Sequence, residues 1–219
     1  MPGVKMRQLK SREDWLQART SYIGGSDAAC IVGENPWKTN QELWEEKTGR
    51  RKPEDISDKP AVKYGTMAEE HLRELFKLDY PQLRVEYVEN NFWTNDEKPW
   101  AHASLDGWLT DEAGRFGILE IKTTTIQSAA QKAKWEKGIP QNYYCQVLHY
   151  LMVTGADFAI LKAKIRWEIP DAEPFAQIKH YRIERADVEA DLEFLEEAEK
   201  EFTRLIEEDK EPALILPEI

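Results

Sequence analysis

Two acidic residues and a lysine, set in otherwise apolar surroundings, are the side chains of this sequence best placed to do chemistry. Asp106 sits in Ser104-Leu105-Asp106-Gly107, just ahead of Trp108 and Leu109. Glu120 and Lys122 interrupt Gly117-Ile118-Leu119-Glu120-Ile121-Lys122, which reads as a buried strand with two charges in its middle. Side chains alternate along a strand, so Glu120 and Lys122 share one face while Leu119 and Ile121 take the other. A lone buried carboxylate or ammonium is costly, and a folded chain keeps such groups only when they are paired or metal-bound. An Asp on one strand and a Glu-x-Lys on the next, joined by a turn containing Gly114, would bring two hard oxygen ligands and an ammonium to one spot. Oxygen-only ligation suits Mg²⁺ or Mn²⁺. The same residues admit a plainer reading, an Asp-Gly turn beside an exposed Glu-x-Lys pair, and this stretch alone leaves both open.

The elements that must hold these groups follow from periodicity and punctuation. Residues 12–20 predict a short helix. Gly24-Gly25-Ser26-Asp27 then opens a second one through Val32, whose free N–H groups would suit an anion. Asn35-Pro36-Trp37 ends it, and Thr39 caps a third helix over Asn40–Lys47, closed by Gly49. After a charged loop, residues 61–79 form an amphipathic helix with Ala68, Leu72, Leu75 and Phe76 on its apolar stripe. On that helix Glu69 lies at the protein-facing rim, and Glu70 points to water with Glu74 and Lys77. Strands are expected at Arg84–Glu89, Phe92–Thr94, Ala101–Leu109 and Gly117–Thr124. Residues 126–136 read as helical. A longer helix runs from Pro140 to Val153 and stops at Gly155. Within it Gln146 and Tyr150 are one turn apart and share a face with Tyr143. Two β-rich runs, Phe158–Trp167 and Gln177–Glu184, predict a hairpin across a Pro-containing loop. A final helix, from Ala186 to about Asp209, carries Val188, Leu192, Leu195, Phe202, Leu205 and Ile206 at helical spacing. The apolar tail, Ala213–Ile219, is expected to dock. The expected fold class is a mixed α/β core with an N-terminal helical appendage. Its organisation is one domain over residues 1–219: a helical segment over 1–60, a core over 61–185, and an acidic helix and tail over 186–219.

Composition narrows the function classes. At 219 residues with 41% hydrophobic content, 8 Trp and 8 Tyr, the chain can bury a substantial core. No apolar run is long enough to span a membrane, and residues 1–10 lack the apolar region of a signal peptide, so the expectation is a reduced, cytoplasmic protein without a membrane partner (host cytoplasm if phage-encoded). Cys30 and Cys145 are too few for a four-cysteine metal site and read as small hydrophobes. His71, His102, His149 and His180 are scattered without ligand spacing and read as structural or surface residues. The net charge of −11 looks wrong for a nucleic-acid binder, but residues 187–211 hold 12 Asp/Glu against 3 Lys/Arg. The acidity belongs to one helix, so it neither vetoes nor favours DNA binding.

Taken in order, Gly65-x3-Glu69, Ser104-Leu105-Asp106-Gly107, Leu119-Glu120-Ile121-Lys122 and Gln146-x3-Tyr150 resemble the PD-(D/E)-x-K nuclease superfamily. Trp15-x3-Arg19-x6-Ser26 and Asn35-Pro36-Trp37 narrow the resemblance to the lambda-exonuclease-type, YqaJ-like phage recombinases, over about residues 12–155. Leu105 departs from the superfamily's proline before the Asp. The resemblance implies a three-layer αβα, restriction-endonuclease-like core and Mg²⁺-dependent hydrolysis of DNA phosphodiesters, with Mn²⁺ as a possible substitute. It implies that Asp106, Glu120 and the Ile121 carbonyl hold the metal and that Glu69 serves a second ion or its water. Lys122 would position the attacking water, with Gln146 and Tyr150 supporting the site, while Arg19 and Ser26 bind a terminal 5′-phosphate. The implied activity is 5′-to-3′ digestion of one strand of linear duplex DNA by a homo-oligomer, a ring-shaped trimer, beside a single-strand annealing protein. Two other functions compete: a DNA endonuclease or junction resolvase on the same core, and a binding module on a catalytically dead core. The second is disfavoured because no acidic or lysine position of the set is missing.

Overall fold

The structure, a computed structural model, describes residues 3–167 and 175–216. Alternation along two strands dictates its layers. Strand β6 (Phe116–Ile126) sends Ile118 to one face and Leu119 and Ile121 to the other. Its parallel neighbour β7 (Phe158–Trp167) sets Ala159, Leu161, Ala163 and Ile165 against Phe158 and Ile160. Strands apolar on both faces need a helical layer on each. On one side Leu72 and Phe76 of α4 (Pro60–Asp79) meet Leu119, Ile121, Phe158 and Ile160. On the other, Val147, Leu148 and Leu151 of α6 (Gln141–Thr154) join Ile118, Leu161 and Ala163. Helix α6 is itself buried, because α2 (Gly25–Ile31) and α7 (Glu189–Glu207) pack on it.

The central sheet has the order β2-β5-β6-β7-β8, with β2 at Arg84–Glu86, β5 at Gly107–Thr110 and β8 at Phe175–Glu184. Within this sheet, among the described residues, only β6 and β7 pair in parallel. A parallel pair needs a crossover, which α5 (Ala129–Lys137) and α6 supply. A second, antiparallel sheet of β1 (Val4–Gln8), β3 (Asn91–Asn95) and β4 (Lys98–Ala103) rests against α6. Helices α1 (Arg12–Thr20) and α3 (Asn40–Lys47) complete the chain. Thr39 caps α3 as expected, its hydroxyl accepting from the Glu42 N–H at 3.2 Å.

The expected mixed α/β, αβα architecture is present, with four local corrections. The N-terminal segment is not purely helical: β1 is an edge strand whose residues are mostly exposed, so it carries no apolar alternation to read. The single strand expected over Ala101–Leu109 is two strands in different sheets, broken at Ser104-Leu105-Asp106. Leu75, expected on the apolar stripe of α4, is 37% exposed, and Arg73 is buried instead. The final helix starts at Glu189, after a short 3₁₀ turn over Arg185–Asp187. The expected loop between β7 and β8 and the last three residues of the tail lie outside the described residues. The preceding part of the tail docks on α3, where the Asn40 side chain donates to the Ala213 carbonyl at 2.7 Å and accepts from the Ile215 N–H at 3.0 Å.

A buried pair joins α6 to α7. His149 Nδ1 lies 2.7 Å from Glu199 Oε1, both side chains being fully buried, and Nε2 lies 2.8 Å from the His102 carbonyl. Burial opposes the imidazolium, but the Glu199 carboxylate outweighs it and raises the His149 pKa, so the two are held as an ion pair. Removing one partner leaves an uncompensated buried charge. Glu199→Ala and His149→Ala are each expected to cost about 3–5 kcal/mol in urea unfolding, and the double variant clearly less than their sum. Additive losses would show that the pair is not coupled.

Candidate active site

Asp106 is fixed by its backbone before its carboxylate does anything. At the break between β4 and β5 the chain leaves one ladder without having entered the next, and the buried Asn91 amide fills the gap. Its Oδ1 accepts from the Leu105 N–H at 2.8 Å and its Nδ2 donates to the Leu105 carbonyl at 2.9 Å. Arg73 Nη1 donates to the Asp106 carbonyl at 2.7 Å. With the main chain pinned, Asp106 Oδ2 accepts from the Ile121 N–H at 2.7 Å, which brings it to the middle of β6.

Glu120 and Lys122 share the α6 face of β6, as alternation requires, with Lys122 Nζ 2.6 Å from Glu120 Oε1. Glu120 is 1% exposed. Gln146 Nε2 donates to the same Oε1 at 2.7 Å and to the Tyr150 hydroxyl at 2.9 Å, so both amide hydrogens are committed. Glu69 reaches the group from α4, its Oε1 accepting from Arg73 Nη1 at 3.2 Å. Glu70, by contrast, is exposed.

Arg19 and Ser26 join from the N-terminal segment, where Arg19 Nη2 donates to Ser26 Oγ at 3.1 Å. Arg19 also lies 4.7 Å from the Trp15 ring centre, and Trp15 Nε1 donates to Ser104 Oγ at 2.8 Å, tying α1 to the loop that carries Asp106. Close approach of α2 and α6 needs a glycine: a Cβ at Gly25 would stand 2.5 Å from the Tyr150 ring and 2.9 Å from Gln146 Cγ. One chain of contacts therefore runs from Arg19 through Ser26, Gly25, Tyr150, Gln146 and Glu120 to Lys122.

The electrostatics are those of carboxylates crowded out of water. Burial, then the Glu120 charge, pushes Asp106 up to about 8. Burial, then Asp106, pushes Glu69 up to about 7. Burial also raises Glu120, against the pull of Lys122. For Lys122 burial works against the charge, but Glu120 and Asp106 outweigh it, and the ammonium stays protonated. Among the described residues the carboxylates are not drawn together as a ligating cluster; each is held by a protein partner. Glu120 Oε2 is nevertheless buried without a hydrogen-bond partner. An orphaned carboxylate oxygen beside two further raised acids fits a hard divalent cation, which would relieve all three.

Glu120, Lys122, Gln146 and Tyr150 are thus directly linked, Asp106 joins them through the Ile121 N–H, Glu69 approaches through Arg73, and the Arg19–Ser26 pair connects through Gly25. Asn91 and Arg73 escaped sequence reasoning. No local pattern marks Asn91, and only the strand break gives its amide a task. Arg73 was legible in part, as the i+4 partner of Glu69. Its stacking on Tyr87, 3.6 Å from the ring centre, was not.

An αβα core with an Asp beside a Glu-x-Lys strand and a helix-borne Glu defines the restriction-endonuclease-like class. Residues 14–157 match the YqaJ-like viral recombinase domain, and the chain belongs to that family. It is 36% identical over 155 residues to an uncharacterised protein YqaJ of Bacillus subtilis (strain 168), a stretch covering 68% of this chain and 44% of that protein. In fold it is similar to an alkaline exonuclease, LHK-Exo, from Laribacter hongkongensis, with a TM-score of 0.62 at 22% identity over 90% of this chain and 95% of that one. That enzyme has also been solved in complex with dAMP. A phage-related exonuclease from Haemophilus somnus 129PT matches with a TM-score of 0.50 at 14% identity, over 86% and 96% of the two chains.

The raised acids predict a pH-dependent strain in the metal-free protein. A carboxyl whose folded pKa exceeds its unfolded value costs stability above the unfolded value, here 3.8, and the cost grows until the pH passes about 8. Metal-free Asp106→Asn is therefore expected to melt above metal-free wild type at about pH 8, with the gap narrowing toward about pH 5. A variant Tm at or below wild type at the higher pH would refute the strain.

Proposed function

We propose that this protein is a divalent-metal-dependent exodeoxyribonuclease that digests one strand of linear duplex DNA from its 5′ end. The carrying observation is the continuous line from the Arg19–Ser26 pair to the Glu120–Lys122 pair, an anion-binding fork set beside a group of strained acids. Membership of the YqaJ-like recombinase family and the fold shared with an alkaline exonuclease support the reading.

In this proposal Asp106, Glu120 and the Ile121 carbonyl hold Mg²⁺, or Mn²⁺ in its place, and Glu69 serves a second ion or its water. The ion supplies Lewis acidity toward the phosphate oxygens and a lowered pKa for the attacking water. Lys122 keeps its proton, so it orients that water by donating hydrogen bonds and does not act as a base. Gln146 fixes the Glu120 carboxylate, and Tyr150 takes the second amide hydrogen of Gln146. Arg73 holds both the Asp106 main chain and Glu69 in register. The Arg19 guanidinium and the Ser26 hydroxyl receive the terminal 5′-phosphate, whose extra charge separates it from internal phosphates. A trimeric ring and a single-strand annealing partner belong to the same proposal and rest on the resemblance.

Digestion of 5′-phosphorylated linear duplex with Mg²⁺, read out strand by strand, tests the proposal; equal attack on closed circular DNA would replace it with an endonuclease. Several kcal/mol of transition-state stabilisation, at about 1.4 kcal/mol per factor of ten, would be lost with one metal-holding carboxylate. Glu120→Gln is thus expected to lower the rate roughly thousandfold with the fold intact. Glu69→Gln is expected to lower it strongly and Glu70→Gln hardly at all. Near-wild-type turnover by Glu120→Gln, or equal effects at 69 and 70, would sink the assignment.

Arg19 provides a separate test. Wild type is expected to digest 5′-phosphorylated ends faster than 5′-hydroxyl ends, and Arg19→Ala to erase most of that preference while binding Mg²⁺ as before. A surface arginine paired with Glu13 or Asp14 would leave end preference unchanged. Among the described residues the one side-chain hydrogen bond of Arg19 goes to Ser26.

A further inference from the structure

The α4 face of the sheet changes character partway along. Phe158 and Ile160 of β7 pack on α4, and Lys162 is fully buried but paired with Asp79 at 3.0 Å. Two residues on, Lys164 points to the same face, followed by Arg166. In the parallel register these lie beside Thr123 and Thr125 of β6. Tyr64, in the first turns of α4, covers them: its ring centre is 3.7 Å from the Arg166 guanidinium carbon and 5.5 Å from Lys164 Nζ. Arg166 Nη2 donates to Thr125 Oγ1 at 2.8 Å. Among the described residues no carboxylate reaches Lys164, in a chain carrying 41 acids, and the first turn of α4 contributes no acid either.

We propose that Tyr64, Thr123, Thr125, Lys164 and Arg166 form a phosphate-binding shelf that grips the backbone of the DNA on its way to the Asp106–Glu120 site. This rests on the exonuclease reading and deepens it by naming where the uncleaved part of the substrate is held. A lysine that no carboxylate of the described residues reaches and an arginine stacked on Tyr64, beside two hydroxyls, match phosphodiester oxygens, which accept hydrogen bonds from all three groups. The stack on Tyr64 holds the guanidinium plane before substrate arrives, which lowers the ordering cost of the contact. Placement agrees with the role. Thr125 lies three residues beyond Lys122 on β6, roughly 10 Å at strand rise. Tyr64 lies five residues before Glu69 on α4, about 7.5 Å along the helix axis, which sets the shelf next to the helix-borne acid of the site. Arg19 and Ser26 lie on the α6 side of β6 and the shelf on the α4 side, so the two anion sites are distinct.

Duplex binding by fluorescence anisotropy in EDTA, across a range of salt, tests the shelf without cleavage. Lys164→Ala is expected to weaken binding roughly tenfold and to reduce the slope of log K against log salt by about one. Lys164→Arg is expected to restore both. With Mg²⁺ present, KM for duplex rises in the Ala variant while kcat at saturating DNA holds. Unchanged slope and KM in Lys164→Ala overturn the proposal, as does Lys164→Arg failing like Ala, which would mark a packing defect. Wild-type protein that binds duplex through Lys164 but never digests it would overturn the exonuclease reading alone.

Discussion

Holding like charges close together out of water is the constraint on which the rest of this structure depends. Glu120 is almost fully buried, Asp106 sits against the same strand, and Glu69 approaches from the facing helix. Each would ionise readily in water, and each is pushed upward by burial and by another carboxylate. A chain can keep such a group only by surrounding it with fixed donors. The donors here are Lys122 from the same strand, Gln146 from α6, Arg73 from α4 and the Ile121 N–H. Three separate elements, β6, α6 and α4, must therefore be in place before the acids can be tolerated, and the αβα sandwich brings them together.

Secondary adaptations follow from that requirement. Gln146 reaches Glu120 only because α6 lies against the sheet, and α2 lies on α6 only because position 25 has no side chain to strike Tyr150. The same approach delivers Ser26 and Arg19 to the site. The strand break at Ser104–Asp106 frees the Asp106 carboxylate from the alternation of a regular strand, and Asn91 replaces the ladder bonds that the break forfeits. A buried amide satisfied on both ends is a rigid support, whereas a broken ladder left open would be a hinge.

Legibility in the sequence tracked the range of the physical signal. Local periodicity located α3, the α4 helix, α6 with its Gly155 stop, and the charged strand β6, because each is an amphipathic or buried segment with its own caps. The site residues were legible as an ordered set of motifs, which the structure links by direct and bridged contacts. What stayed hidden is non-local. Strand β1 exists because β3 offers an edge, and its exposed residues carry no pattern of their own. Ala101–Leu109 looks like one strand since residues on both sides of the break are apolar, and only pairing with two different sheets divides it. Leu75 fits the helical stripe by angle, yet it stays partly exposed beside Ile178 and His180 of β8.

The distribution of charge explains how a chain of net −11 can face a polyanion. The acids are concentrated on α7, which packs on α6 and so lies on the opposite side of the sheet from α4. Between surface charges separated by more than a Debye length, about 8 Å at physiological salt, repulsion is largely screened. Under the exonuclease reading, substrate at Lys164 and Arg166 is separated from α7 by the sheet and α6, whereas at Ser26 of α2 it comes near α7, which α2 contacts. The acids of α7 are further spent on one another's neighbours: Glu196 binds Lys98 and Lys200, Glu201 and Glu208 bind Arg204, and Glu199 neutralises His149. What remains is a helix that keeps its outer face hydrated and its inner face locked to α6.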